Sequence, residues 1–355
     1  MERTLSAREL GRATLARQML LQRERVTAPD AVERLVALQA QVREPPFVGL
    51  WTRIEDFRRA ELVEAIERRE VVRATAIRCT MHLMSARDFL AFWGAIQPAV
   101  ARAVRAWTGK RLGGLDMDRI AAAVRERVAE RPSTFAELRA SIPELAQAES
   151  PQAAAYAVRA HLPLVQVPDG GSTGHSNAAP YGLAEHVLGA PAAREPATAE
   201  LVRRYLAAFG PASVADAQAW AGLTGLKPVF EDLRAELAVF RDESGGELFD
   251  LPDAPRPDPG TPAPARLLPD YDNLVLAYRD RSRFVPEEHR KAIFRPAGVV
   301  RATFLVDGVV AGTWSRDRDG SVALEPFGRI AKRDRIALDE EVERMREWAG
   351  SAPAL

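Results

Sequence analysis

Two glutamines separated by one alanine stand just ahead of a proline pair, in the run Leu38-Gln39-Ala40-Gln41-Val42-Arg43-Glu44-Pro45-Pro46. A carboxamide accepts hydrogen bonds at its oxygen and donates them from its nitrogen, so two of them facing one cleft form a neutral polar site. On a helix, residues two apart point to nearly opposite sides. In an extended stretch they share a face. The prolines must break any helix arriving from Pro29, because proline disfavours helix in its predecessor and has no amide donor. A helix ending near Leu38 lets both amides project into one cleft. Otherwise they are two solvated side chains at a helix end.

Other polar side chains fall into patterns that suit contact with a nucleic acid, each with a plainer alternative. Arg78, Thr80 and His82 alternate and share a face if the run is one unbroken strand; a lone histidine on a strand is otherwise a satisfied structural residue. Arg279, Arg281 and Arg283 alternate too, which aims three guanidiniums one way in an extended segment. Surface pairing with Asp280 or Asp272 is the alternative. Ser172, His175 and Asn177 lie in the turn-rich tract Asp169–Asn177 and are placed to probe a groove, unless that tract is a mobile polar loop. Trp51 and Trp314 read as core. The five histidines, His82, His161, His175, His186 and His289, show no close metal-ligand spacing. No glycine-rich phosphate loop follows a strand, and no Gly-x-Ser-x-Gly elbow is present. No metal and no cofactor is expected.

The elements that must position these residues repeat. Ser6-Ala7-Arg8-Glu9 has the spacing of a capping box opening a helix through about Leu21. A second helix follows Pro29, with Val32, Leu35, Val36 and Leu38 inward. A third spans Arg59 to Arg69, and two β-like runs follow, Val71–Arg78 and Thr80–Ser85. Helices followed by a β-hairpin are the plan of a winged helix. The order recurs in Arg119–Glu130, a helix capped at Thr134, Gln152–His161 and Leu164–Pro168, with Asp169–Asn177 as a wing tip. It recurs again in Thr198–Phe209, Ser213–Ala221, Pro228–Leu237 and a hairpin over Val239–Leu251. After the proline-rich connector Pro252–Pro264 the texture turns to β: Val299–Val306 and Val309–Trp314 flank the turn Asp307-Gly308, and Ser321–Pro326 adds a strand. Arg335–Trp348 closes as a helix. The expected fold is α+β, with three tandem winged-helix units (1–115, 116–194 and 195–251) and a C-terminal β-rich, barrel-like domain at 252–355.

Composition permits this reading without demanding it. The 355 residues are 47% hydrophobic and 28% charged, ordinary for a globular chain long enough for more than one core. Lys plus Arg number 49 against 49 Asp plus Glu, so there is no global basic field, although the positive charge is nearly all arginine. Cys79 stands alone, which excludes an internal disulfide and a cysteine-rich zinc site. No apolar run reaches the ~20 residues that span a bilayer, and the polar start MERTLSAREL gives no export signal. A cytoplasmic protein is expected, nucleoid-associated when bound to DNA, and monomeric.

The glutamine motif, the following Pro45-Pro46-Phe47-Val48-Gly49-Leu50-Trp51, and Ile77-Arg78-Cys79-Thr80-Met81-His82-Leu83 together resemble the AlkZ/YcaQ family of winged-helix DNA glycosylases. Leu268-Pro269-Asp270-Tyr271-Asp272, Tyr278-Arg279-Asp280-Arg281 and Gly312-Thr313-Trp314 extend the resemblance, in the same order, over almost the whole chain. Gln41 places it with the AlkZ-like branch, since the YcaQ-like branch carries Asp at that position. The resemblance implies three winged helices around a concave DNA channel with an accessory β domain. It implies monofunctional excision of N-alkylated purines, N7-alkylguanine among them, with bulky adducts or interstrand crosslinks as further candidates. Double-stranded DNA containing such purines is then the partner.

That chemistry suits amides. Alkylation at N7 places positive charge on the purine, so the base departs neutral and needs no strong general acid. What remains is to hold a water beneath C1′ and to stabilise an oxocarbenium-like sugar, and orienting a nucleophile supplies roughly 7–11 kcal/mol in fully effective cases. Gln39 and Gln41 are the expected catalytic pair. A winged-helix regulator without chemistry and a catalytically silent scaffold are the competing readings; a regulator of that kind typically needs a symmetric dimer, and no dimerisation helix is evident.

Overall fold

The computed structural model describes residues 3–108, 112, 114–317 and 319–350; the polar start read at Met1 and Glu2 lies outside them. The chain opens with β1 (Thr4–Leu5) and α1 (Ala7–Arg17), and Ser6 and Glu9 form the capping box their spacing predicts. Helix α1 stops before the expected Leu21, and Met19 beyond it takes a left-handed φ of 57°. Then come α2 (Ala28–Arg34), β2 (Leu38–Gln39), α3 (Pro45–Trp51), α4 (Arg59–Glu67), β3 (Val71–Thr75), β4 (Met81–Ser85) and α5 (Ala86–Thr108). Sequence reasoning placed nothing at α5. Phe89, Phe92, Trp93, Ile96, Val100 and Val104 give it a buried stripe at helical spacing, and Pro98 inside it masks the pattern.

The middle of the chain supplies α6 (Met117–Glu130), α7 (Phe135–Ser141), α8 (Pro143–Ala146), α9 (Pro151–His161), β5 (Leu164–Gln166), β6 (Tyr181–Leu183) and α10 (Ala184–Val187). Next are α11 (Thr198–Phe209), α12 (Val214–Ala221), α13 (Lys227–Leu233), β7 (Ala238–Asp242) and β8 (Glu247–Asp250). The last part holds β9 (Arg266–Leu268), α14 (Asn273–Leu276), α15 (Arg290–Ile293), β10 (Phe294–Arg295), β11 (Val299–Val300), β12 (Thr303–Val306), β13 (Val309–Arg316), β14 (Val322–Pro326) and α16 (Lys332–Gly350). No helix among the described residues is long and apolar enough to cross a membrane.

Sheets and cores cross the sequence intervals freely. A five-stranded sheet in the order β2-β4-β3-β5-β6 joins the glutamine strand to the middle of the chain, through the pairing of Ala74 with Val165. Strand β1 runs parallel to β7, tying the N-terminus to the β7–β8 hairpin. One core gathers Leu15, Val36, Phe89, Tyr205, Phe209, Trp220, Tyr278 and Phe284 from four distant stretches. Another packs Phe47, Trp51 and Phe57 against Phe304, Trp314, Met345 and Trp348.

The C-terminal sheet differs from the barrel-like domain expected. It is an open sheet in the order β14-β13-β12-β9. Phe304 and Trp314 bury against the aromatic side chains of α3 and α16, so helices cover the apolar face that closure would otherwise hide. Its central hairpin turns at Asp307 and Gly308 with φ of 47° and 81°, the positive values a two-residue turn of this hand requires.

Buried ion pairs fasten these regions together. Arg17 of α1 grips Asp250 of β8 at 2.6 and 2.8 Å. Arg53 grips Asp272 at 2.9 and 2.8 Å while also reaching the Gly49 carbonyl. Arg and Asp are enclosed in both pairs, and each carboxylate takes two donors from its arginine and further donors besides, from Arg256 and the Leu251 amide at Asp250 and from the Leu274 amide at Asp272.

Candidate active site

The chain leaves α2 through Val36, whose φ of 66° is rare for a β-branched residue, and runs extended from Leu38. Gln39 stands opposite His82 on β4, and the Ala40 amide donates to the Met81 carbonyl at 2.7 Å. Side chains then alternate. Leu38 and Ala40 are buried, whereas Gln39 is half-buried and Gln41 exposed. Gln39 is thus the last residue of β2 and Gln41 stands at the bend that follows it, each flanked by a buried neighbour.

Each carboxamide is held from a different direction. The Gln39 oxygen accepts from Arg78 Nη2 at 3.1 Å, and its amide nitrogen has no protein partner among the described residues. The Gln41 oxygen accepts the Met81 amide at 3.2 Å, and its nitrogen stands 3.5 Å from the Tyr156 hydroxyl on α9. Each oxygen keeps a second lone pair. Beneath the strand, Arg73 donates from Nε and Nη2 to the Ala40 carbonyl at 3.0 and 2.7 Å and from Nη1 to the Gln166 oxygen. Buried main-chain and side-chain oxygens thus fix its fork rather than a carboxylate.

A local positive field surrounds this neutral pair. Arg73 is pushed down to about 10, by burial first, with Tyr181 opposing and the charges of Arg43 and Arg159 adding to the shift. Arg78 is likewise pushed down to about 10, by burial and then by Arg281. Arg159 lies over the Tyr156 ring at 4.6 Å and donates to the Tyr181 hydroxyl at 3.0 Å. Among the described residues none of Arg43, Arg73, Arg78 and Arg159 pairs with a carboxylate, whereas arginines elsewhere mostly do. A chain of zero net charge therefore concentrates guanidiniums at the glutamines. Tyr156 and Arg159 carried no sequence signal, because only the β3–β5 pairing brings α9 and β5 toward β2; Arg73 of β3 and Arg43, two residues after Gln41, were not singled out either.

The other expected residues scatter. Arg78, Thr80 and His82 do not share a strand face, because Ile77–Cys79 is a 3-10 turn with left-handed φ of 53° at Arg78 and 59° at Cys79. His82 is 1% exposed, its Nδ1 stands 3.0 Å from the Thr80 carbonyl, and burial plus the Arg78 charge push it down to about 3. The tract Asp169–Asn177 is not a free wing tip. Thr173, Gly174 and His175 are buried, with Gly174 packed on Ile66, while Arg43 ties the loop down through the Ser176 carbonyl and the Asn177 side chain. Ser172 stays exposed, and burial pushes His175 down to about 4.

Arg279, Arg281 and Arg283 do not lie along an extended segment either, since Arg281–Arg283 is a 3-10 turn. Arg281 stacks on Phe294 at 4.0 Å and Arg283 on Tyr278 at 4.2 Å, while Arg279 is exposed. Arg279 and Arg283 instead line a separate cavity of about 560 Å³ with Asp216, Asp242 and Ser282. Asp280 caps the turn and pairs with neither neighbour.

Comparison with known proteins decides the family. A family model described as DNA glycosylase AlkZ-like matches residues 32–348. The chain belongs to the AlkZ-like DNA glycosylase family. Over 159 residues this AlkZ-like chain is 28% identical to an interstrand DNA cross-link repair glycosylase of Streptomyces sahachiroi, a stretch covering 42% of each protein. The structure is also similar to that of the Streptomyces sahachiroi DNA glycosylase AlkZ, with a TM-score of 0.83 and 21% identity across 98% of both chains. That second likeness speaks to the fold.

Proposed function

We propose that this chain is a monofunctional DNA glycosylase that hydrolyses the N-glycosidic bond of N-alkylated purines in double-stranded DNA, with Gln39 and Gln41 placing the attacking water. The observation that carries the reading is that two carboxamides, one ending β2 and one at the bend after it, are held by Arg78 and by the Met81 amide amid guanidiniums that pair with no carboxylate among the described residues. Positive charge that no acid offsets favours an anionic ligand through its field, even where the guanidinium arms are held by protein oxygens, and family membership supports DNA as that ligand.

The two amides divide the work. Gln39 offers its free N–H to the water oxygen, and Gln41 takes a water hydrogen on its second lone pair. The remaining water lone pair then faces C1′. As the C1′–N9 bond breaks, its electron pair enters the purine and neutralises the charge that N7 alkylation created. The water oxygen bonds to C1′ and sheds a proton to solvent. Nothing here helps a neutral purine leave, so unmodified DNA is spared. The relative's activity on crosslinks makes bulky and bridged N7 adducts the second substrate class to try. The intervals 1–115, 116–194, 195–251 and 252–355 are proposed as three winged-helix units and an accessory β domain that cradle the duplex, with Ser172, Asn177 and Arg279 as exposed candidates for contacting it.

The test is incubation with duplex DNA carrying N7-methylguanine, and separately an N7-bridged crosslink, followed by alkaline cleavage at abasic sites. Strand breaks that vanish in the Gln39→Ala, Gln41→Ala double variant while DNA binding persists support the proposal. Binding without breaks on both substrates means a DNA-binding protein without chemistry.

A further inference from the structure

The Gln39 carboxamide has two ends of nearly equal size, and nothing in its own geometry selects which one faces a ligand. We propose that Arg78 is the positioning residue that makes this choice, holding the Gln39 oxygen inward so that the amide N–H group is the end presented to the water. The inference rests on the glycosylase reading above.

The guanidinium is a planar fork, and both of its arms are spoken for. Nη2 reaches the Gln39 oxygen at 3.1 Å, and Nη1 reaches the Trp220 carbonyl at 2.6 Å. Trp220 lies in the last turn of α12, where carbonyls lack intrahelical partners and the helix end carries partial negative charge. That end receives a guanidinium well. The close approach depends on Gly222, which caps α12 with a φ of 70°; a Cβ there would lie 3.1 Å from Arg78 Cα. On the other side, left-handed backbone at Arg78 and Cys79 turns the side chain away from β4 and toward both acceptors. Such conformations persist only where the surroundings enforce them, and they gather at functional sites. The orientation of a residue near the N-terminus is thereby set by a helix far along the chain. An arginine reserved for DNA phosphate would keep its arms for the ligand. Lysine preserves the charge but not the fork.

Single-turnover excision from N7-methylguanine duplex and dissociation constants for the same duplex are measured for wild type, Arg78→Ala, Arg78→Lys, Gln39→Ala and the Gln39→Ala, Arg78→Ala double variant, with thermal melting of each. Expected is a loss of about 10- to 100-fold in rate for both Arg78 variants, as for other small misplacements of a reacting group. The dissociation constants stay unchanged, and the double variant is no slower than Gln39→Ala alone, because Arg78 acts only through Gln39. Arg78→Lys keeps the test valid should Arg78→Ala melt early. Full rate in Arg78→Lys, multiplying rate losses in the double variant, or a weaker dissociation constant at unchanged rate overturns the proposal and makes Arg78 a DNA contact. Full rate in Gln39→Ala is a different failure: it removes the two-glutamine reading itself.

Discussion

Asn273 donates its side-chain amide to the main-chain carbonyl of Ala37 at 2.7 Å, and to that of Leu35 at 3.4 Å, inside the protein. These carbonyls flank Val36, whose left-handed φ turns the chain from α2 into the glutamine strand. A residue of the C-terminal region therefore clasps the turn that aims Gln39 and Gln41. Replacing Asn273 by alanine leaves a buried carbonyl unsatisfied, for an expected stability loss of roughly 1–3 kcal/mol in urea denaturation. Excision should slow more than DNA affinity falls. Equal losses in both would mean that Asn273 supports the fold in general and not the strand.

The proposed division between the two amides predicts unequal effects of a near-isosteric change. Gln41→Glu keeps an acceptor toward the water, whereas Gln39→Glu replaces the donor with a second acceptor and adds a salt bridge to Arg78. Single-turnover rates should therefore fall much further for Gln39→Glu. The reverse order would exchange the two roles.

Arg53 and Asp272 form a fully enclosed pair linking the first helices to α14. Removing one partner strands the other charge in the interior, so Asp272→Ala should cost about 3–5 kcal/mol in equilibrium unfolding. The exposed pair Arg25–Glu55 serves as control, and Glu55→Ala should leave the denaturation midpoint unmoved.

Two buried histidines give stability a defined pH dependence. His82 is pushed from 6.5 down to about 3 and His175 from 6.5 down to about 4, burial being the main cause for both. Below pH 6.5 the unfolded chain takes up protons that the folded one refuses, so stability falls as the pH drops. The His175 contribution levels off near pH 4 and the His82 contribution near pH 3. Above 6.5 both rings are neutral in either state and add no slope. Urea midpoints between pH 3 and 8 should show this, with a shallower slope in His82→Asn. Because neither ring titrates near neutrality in the folded protein, the excision rate of wild type should stay flat from pH 6 to 8. A bell-shaped profile there would demand a general acid or base that the glutamine mechanism lacks.

Arg43 couples the segment after the glutamines to the Asp169–Asn177 loop through Ser176 and Asn177. Arg43→Ala should release that loop, read as faster amide hydrogen exchange at residues 169–177 with β5 unaffected. Unchanged exchange would show that Gly174 on Ile66 suffices to dock it.

Local physics made much of this protein legible in its sequence. Capping boxes at Ser6 and Thr134, the helix Thr198–Phe209 and the Asp307-Gly308 turn each depend on neighbours a few residues away, so spacing alone specifies them. The proline pair bounded the second helix without saying where it ends: Leu38 was expected to face inward from it, whereas α2 stops at Arg34 and Leu38 lies in β2. Spacing could not show that Arg78 leaves its strand, that Tyr156 and Arg73 meet the same motif, or that His175 is buried. Those facts depend on pairings such as Ala74 with Val165 and on contacts such as Arg78 with Trp220, between segments far apart in the chain. Tertiary structure also decided where the charge lies. Composition sums to zero, but among the described residues packing pairs most arginines with acids and leaves Arg43, Arg73, Arg78 and Arg159 around the glutamines without one.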